Sequence, residues 1–348
     1  MKDISYNELI EIAQEEGIVI LKDVSSVFKK IVKEGDDFEE YSYSNSTRKK
    51  LRDLAKLVSN PEYKVFADSD VFHNLAIDFS KLNLYDCALS ILERGLNEFP
   101  SSDLLADKIL YASESGQYDL CEDAYERLNC LDKGSWGWRA YSFTIKYHLK
   151  KVKGMQKGEI RDRCKSAVYA LAEEFIAYSR INPEDSADRA YFDMASLVKE
   201  LGVIEDGKEA VTRESILRQG CKAIHPAPQC ALSLSEMLIE RGSYDEAITF
   251  LSQCKLDTNS PQPSVNPAYV FLLYAMAKTS KLIEETVDGD YSGKKSEVES
   301  IYRDFHTAVD SFEIEETYRN AAKRTINALE IQTGFKDTTS NLDGDEFV

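Results

Sequence analysis

Four histidines (His73, His148, His225, His306) and seven cysteines (Cys87, Cys121, Cys130, Cys164, Cys221, Cys230, Cys254) are the side chains of this 348-residue chain best suited to nucleophilic, acid–base or metal chemistry. None of the histidines falls in a nucleophile or metalloprotease pattern. The chain has no Gly-x-Ser-x-Gly, no His-Glu-x-x-His and no kinase signature. Cys221, His225, Cys230 and Cys254 are zinc-ligand types, but their spacing follows no ribbon or finger, and cysteine on a helix face packs as a small hydrophobe.

Residues 289–296 carry Gly293-Lys294 after a glycine. Only three residues separate Gly289 from Gly293, where a phosphate loop needs four, and Lys295 stands where Ser or Thr would hold magnesium. Asp288, Asp290, Ser292, Gly293 and Glu299 have the spacing of a calcium loop. Against it, Lys295 replaces the aliphatic residue such loops carry, Ser300 replaces the apolar one after the last ligand, and no second loop follows. The segment reads as a polar turn between helices. The expectation is a chain without a catalytic centre, cofactor or metal.

Elements must then carry the function. The chain is 43% hydrophobic and 30% charged, with only 16 glycines and 8 prolines, a soluble helix-forming composition. Its formal net charge of −18 opposes nucleic acid and anionic membrane, and suits a basic partner. A helix-turn-helix reading of residues 9–32 meets acidic flanks at Glu11, Glu15 and Glu16. An odd, scattered cysteine set implies a reducing compartment. Met1-Lys2-Asp3-Ile4 lacks a secretory pattern, and no apolar run approaches the roughly 20 residues that cross a bilayer. The chain is expected to be cytoplasmic.

Internal repetition is the strongest signal. Phe72, Leu75, Ala76 and Phe79 recur at helical spacing, a turn falls at Asn83, Ala88, Leu92 and Leu96 share a second helical face, and Pro100 ends it. The turn recurs: Asn83-x-Tyr85 before Ala88, Gly116-x-Tyr118 before Cys121, Gly242-x-Tyr244 before Ala247. Each copy supplies a turn-permitting residue, a ring for the hairpin corner, and a small residue where two helices cross.

These segments resemble the tetratricopeptide repeat, with Phe72, Leu75, Ala76 and Phe79 at the places of its Trp, Leu, Gly and Tyr. The resemblance covers about residues 69–133 and 228–255, and implies an all-α solenoid of helical hairpins. Between them, helices at about 159–181, 186–201 and 208–223 read as diverged hairpins, and Lys150–Gly154 reads as a basic loop. Further helices are expected at about 269–285, 295–311 and 315–332. Residues 1–60 read as three helices: one opened by the capping box of Ser5 and Glu8 and ending near Gly17, one over Val24–Lys33, and one from Ser46-Thr47. They form an N-terminal cap before a repeat domain at 61–334, and 335–348 is expected to be an acidic disordered tail.

A repeat solenoid lines its concave face with the first helix of each hairpin. That face includes Asp70, His73 and Ile77; Asp103, Leu110 and Glu114; and Leu232, Glu236 and Glu240. The resemblance implies that Trp138 is buried, leaving Trp136 as an exposed contact residue. Some family members grip a C-terminal carboxylate with Lys, Arg and Asn on this face, and those residues are absent here. The expected function is a protein–protein interaction scaffold or adaptor holding a basic or amphipathic segment. The alternative is a peptide-sensing regulator with residues 1–60 as an output bundle.

Overall fold

A helix that ends and is at once followed by an antiparallel one needs a residue tolerant of positive φ. In the computed structural model Asn83, Gly116 and Gly242 have φ of 56°, 74° and 79°. The next N–H in each copy reaches the carbonyl five residues back: Leu84 to Phe79 (3.1 Å), Gln117 to Ala112 (2.8 Å) and Ser243 to Leu238 (2.8 Å). Ala88, Cys121 and Ala247 then donate to Leu84, Gln117 and Ser243, starting the following helix. All three small residues have no exposed surface. The three turns therefore share a hydrogen-bond pattern as well as a sequence. The tyrosine contributes less than expected: Tyr85 lies 6.2 Å from Tyr111, but Tyr118 is 51% exposed.

The structure describes residues 4–34, 43–155, 159–182, 188–202, 211–224, 227–257, 265–286 and 289–338. They contain sixteen α-helices and two three-residue strands, an all-α fold of adjacent helices packed in sequence order. The chain forms two compact units, Met1–Met155 and Gln156–Val348.

In the first unit, α1 (Tyr6–Glu16) begins with the expected capping box of Ser5 and Glu8 and ends at Gly17, φ 68°. Strand β1 (Ile18–Ile20) pairs in parallel with β2 (Lys64–Phe66), Val19 opposite Val65, and brackets α2 (Leu21–Glu34) and α3 (Asn45–Ser59). The two strands are too short to show alternation, so periodicity does not reveal them. Helix α3 packs on the helix Tyr85–Glu98, and Phe28 meets Phe79 at 4.8 Å. The expected boundary at residue 60 thus falls inside one packed unit. The hairpins α4 (Ser69–Lys81) with α5 (Tyr85–Glu98) and α6 (Ser102–Glu114) with α7 (Tyr118–Asn129) follow, then α8 (Trp138–Gly154). The expected loop at Lys150–Gly154 is instead the last turn of α8.

Phe72, Leu75, Ala76 and Phe79 of α4 are all 0% exposed. Complete burial of each large apolar chain contributes roughly 1.5–3 kcal/mol. Gly95 on α5 lets the helices close: a Cβ there would sit 2.9 Å from Phe72 Cγ and 3.2 Å from Leu104 Cδ1.

The second unit holds α9 (Glu159–Ile181), α10 (Asp188–Leu201), α11 (Arg213–Ala223), α12 (Pro228–Glu240), α13 (Tyr244–Asp257), α14 (Pro267–Glu285), α15 (Lys295–Asp310) and α16 (Glu316–Thr333). Helix α11 starts at Arg213 rather than near Lys208, because Thr212 caps it through Ser215. Gly220 on α11 repeats the device of Gly95: its Cβ would meet Cys230 Sγ at 2.7 Å and Tyr191 Cβ at 3.0 Å. The α10–α11 pair is thus a hairpin with a lengthened connection rather than lengthened helices. Asp188 of α10 caps α12, accepting from Gln229 N (2.7 Å) and Cys230 N (3.0 Å). The segment expected to open the C-terminal tail is packed at its start. Phe335 lies against the α14–α16 core and its carbonyl accepts from Tyr302 Oη at 2.9 Å. Residues 339–348 lie outside the described residues. Among the described residues no helix is long and apolar enough to cross a membrane.

Candidate functional site

The first helices of three successive layers, α4, α6 and α8, meet through one polar cluster. Asp107 of α6 is fully buried. A buried carboxylate needs partners, and it has two. His73 Nδ1 of α4 contacts Asp107 Oδ2, and Arg139 Nη2 of α8 donates to Asp107 Oδ1 at 3.0 Å. Arg139 Nη1 also reaches His73 Nε2 at 2.6 Å. A guanidinium only donates, so His73 Nε2 accepts and the ring proton sits on Nδ1, facing Asp107. Both ring nitrogens are thereby occupied. His73 is the one expected face residue in this cluster; the two that complete it come from neighbouring helices.

Lys108, the next residue, points to the other side of α6. It is buried and joins Glu93 of α5 (2.8 Å) to Asp123 of α7 (2.7 Å), while Arg127 adds a second bond to Glu93 at 3.0 Å. Burial pulls the Glu93 carboxyl upward, but the bonds from Lys108 and Arg127 outweigh it and hold it below the usual range. One helix thus spends two adjacent buried charges on the two helix layers beside it.

The spacing of these partners carries a signal that motif searches miss. His73 and Asp107 are 34 residues apart, as are Glu93 and Arg127. The turns at Asn83 and Gly116 are 33 residues apart, so each partner lies one residue past the equivalent position of the next hairpin, a spacing close to the repeat period.

On the rest of this face Asp70 and Asp103 are exposed, while Ile77 and Leu110 are half-buried. Glu114 is less available than expected. Lys146 and Lys150 of α8 approach it at 2.8 and 3.2 Å, and the Lys146 bond foremost holds its carboxyl below the usual range. The tryptophan assignments reverse. Trp136 is 2% exposed, donates Nε1–H to the Leu128 carbonyl at 3.2 Å, and has Lys133 Nζ 3.4 Å from its ring centroid. Trp138 is 37% exposed, with Arg139 5.6 Å over its ring and Phe143 beside it. The 3-10 turn Lys133–Ser135 ahead of α8 tucks Trp136 inward and leaves Trp138 on the first turn of the helix. Farther along α8, His148 is buried edge-on against Tyr125 at 4.9 Å, and that burial pushes its pKa down to about 4.

In the second unit, Glu236 and Glu240 of α12 are exposed and Leu232 is half-buried. The Glu236 carboxyl is nonetheless raised, foremost by loss of water around it and also by Glu240, with Arg213 and Lys199 opposing.

Among the described residues no group of three or more His, Cys, Asp or Glu side chains could hold a metal ion. Asp288 and His225, members of the calcium and zinc patterns weighed above, lie outside the described residues. Asp290 Oδ1 accepts from Ser292 N at 3.0 Å, a turn-forming bond. None of the seven cysteines is in a disulfide, and burial raises the thiols of Cys221 (to about 12) and Cys230. Comparison of the chain with protein-family models and with curated proteins gives no match.

Proposed function

We propose that the chain is a tetratricopeptide-type interaction scaffold or adaptor of the cytoplasm. It holds a basic or amphipathic polypeptide segment on the faces of its first helices. The observation that carries this reading is the exposure of Asp70, Asp103, Glu236 and Glu240 on α4, α6 and α12, beside the half-buried apolar Ile77, Leu110 and Leu232. Acidic residues flanking apolar steps complement a segment with basic and apolar residues. The underhydrated Glu236 would gain most from a cation, because a partner charge offsets a desolvation already incurred.

His73 supports the reading from the other side. With a carboxylate on one nitrogen and a guanidinium on the other, it has no lone pair to offer as a general base. Photocrosslinking residues placed at Ile77 and Leu110 in the first unit, and separately at Leu232 in the second, should each capture a polypeptide with a basic segment, while the exposed Ile12 and Ile331 positions should not. Capture at Ile12 or Ile331 alone contradicts the assignment.

A further inference from the structure

The first-helix faces do not account for a second concavity, in the unit Gln156–Val348. A cavity of about 510 Å³ opens between the start of α14 and the turn from α15 to α16, lined by Asn266, Pro267, Tyr269, Phe312, Glu313, Ile314 and Glu315. Its walls are of two kinds. Tyr269 and Phe312 are half-buried aromatics, and Ile314 closes the floor at 9% exposure. Glu313 and Glu315 stand exposed at the rim.

The aromatic wall is braced from behind. Phe312 stacks on Phe271 (5.9 Å, 21°), and Lys255 Nζ lies 4.5 Å from the Phe271 centroid. Tyr269 is held edge-on by Tyr318 at 4.9 Å. Rings fixed in this way present π-faces without a further loss of side-chain entropy.

The helix starts around the cavity do not oppose a cation. Asn266 Oδ1 accepts the Ala268 N–H at 2.9 Å, and Pro267 has no N–H, so neither Pro267 nor Ala268 directs a free backbone donor from the first turn of α14. Glu315 has an explanation without a ligand, since it precedes α16, where an acid suits the helix dipole. Glu313 has none: no described cation pairs with its carboxylate.

From the aromatic walls and the uncompensated Glu313 carboxylate, we infer that this cavity is a recognition pocket for one cationic side chain, arginine or lysine, of a partner polypeptide. Its volume takes a long side chain with adjoining backbone. The cation lies between Tyr269 and Phe312, and Glu313 pairs with its charge. The pocket is independent of the first-helix faces, and either can fail without the other.

Saturation-transfer NMR on the full chain with acetyl-Ala-Arg-Ala-amide as probe tests it, against the neutral isostere acetyl-Ala-citrulline-Ala-amide. The arginine side-chain protons should saturate and those of citrulline should not. Glu313→Gln and Phe312→Leu should each weaken binding by roughly three- to tenfold, the range of a cation–π or ion-pair contribution, while Glu11→Gln, an exposed acid outside both surfaces, leaves it unchanged. Because Glu313 is exposed, its variant remains informative if Phe312→Leu does not fold. Equal saturation of the two peptides, unchanged binding in Glu313→Gln, or an equal loss of binding in Glu11→Gln overturns the pocket. Binding of tetramethylammonium in the absence of arginine-peptide binding also overturns it, pointing to a quaternary ammonium ligand instead.

Discussion

His73 and Asp107, 34 residues apart on α4 and α6, are joined through Nδ1 and Oδ2, and Arg139 of α8 closes the cluster by binding both. Three helices are thereby registered by three side chains around one fully buried carboxylate. Removing the carboxylate leaves the half-buried His73 and Arg139 without their anion, at about 1–3 kcal/mol. Asp107→Ala should lower the urea unfolding free energy by that amount. Asp70→Ala, on the exposed turn of α4, should change it by less than about 0.5 kcal/mol.

Gly95 sets two opposing effects against each other. Replacing a helix-interior glycine by alanine usually stabilises by up to about 1 kcal/mol. Here the new Cβ would press on Phe72 at 2.9 Å, and overpacking of a tight core costs about 1–3 kcal/mol. The crowding should win, so Gly95→Ala should lower the melting temperature. Asn83→Gly, at φ 56°, relieves a left-handed strain and should be neutral or slightly stabilising.

How much of this was legible follows from range. The turns at Asn83, Gly116 and Gly242 were legible because a positive φ is a local demand with few residue solutions. Helix ends with side-chain caps, such as Ser5 with Glu8, were legible for the same reason. The His73–Asp107–Arg139 cluster was not, since its members are separated by 34 and 32 residues and only a search by repeat register brings them together. Trp136 and Trp138 were assigned the wrong way round because their burial depends on a 3-10 turn with no sequence signature of its own. The strands β1 and β2 were invisible because three residues carry no period.

His148 makes an acid-side prediction. Its folded pKa of about 4 lies below the ordinary 6.5, so the unfolded chain binds a proton that the folded chain refuses. Stability should be full above about pH 6.5 and fall as the pH drops toward 4, by roughly 3 kcal/mol in all from this group. Chemical unfolding across that range should show a shallower acid limb for His148→Phe than for the wild type. Parallel limbs contradict the assignment.

His306 makes the opposite one. Its ring opposes Asp310 at 2.9 Å through Nδ1 and Asp337 through Nε2, tying the segment after α16 to α15. Burial lowers its pKa, but the two carboxylates outweigh that and the pKa is raised. The stability it contributes is therefore present below about pH 6.5 and lost as the pH rises through the folded value. The protection factors of amides near Asp337, which are corrected for the intrinsic base catalysis of exchange, should fall on the alkaline side in the wild type. In His306→Asn they should be low at every pH.

The central claim is that exposed acids on the first helices hold a basic partner. Affinity capture from native lysate with the wild type and with Glu236→Lys/Glu240→Lys, followed by rebinding of the purified captured protein, tests it most directly. The account predicts a protein with a basic segment that rebinds the wild type and is weakened at least tenfold by the charge reversal, with stronger loss at low salt. A captured protein that rebinds both forms equally contradicts it.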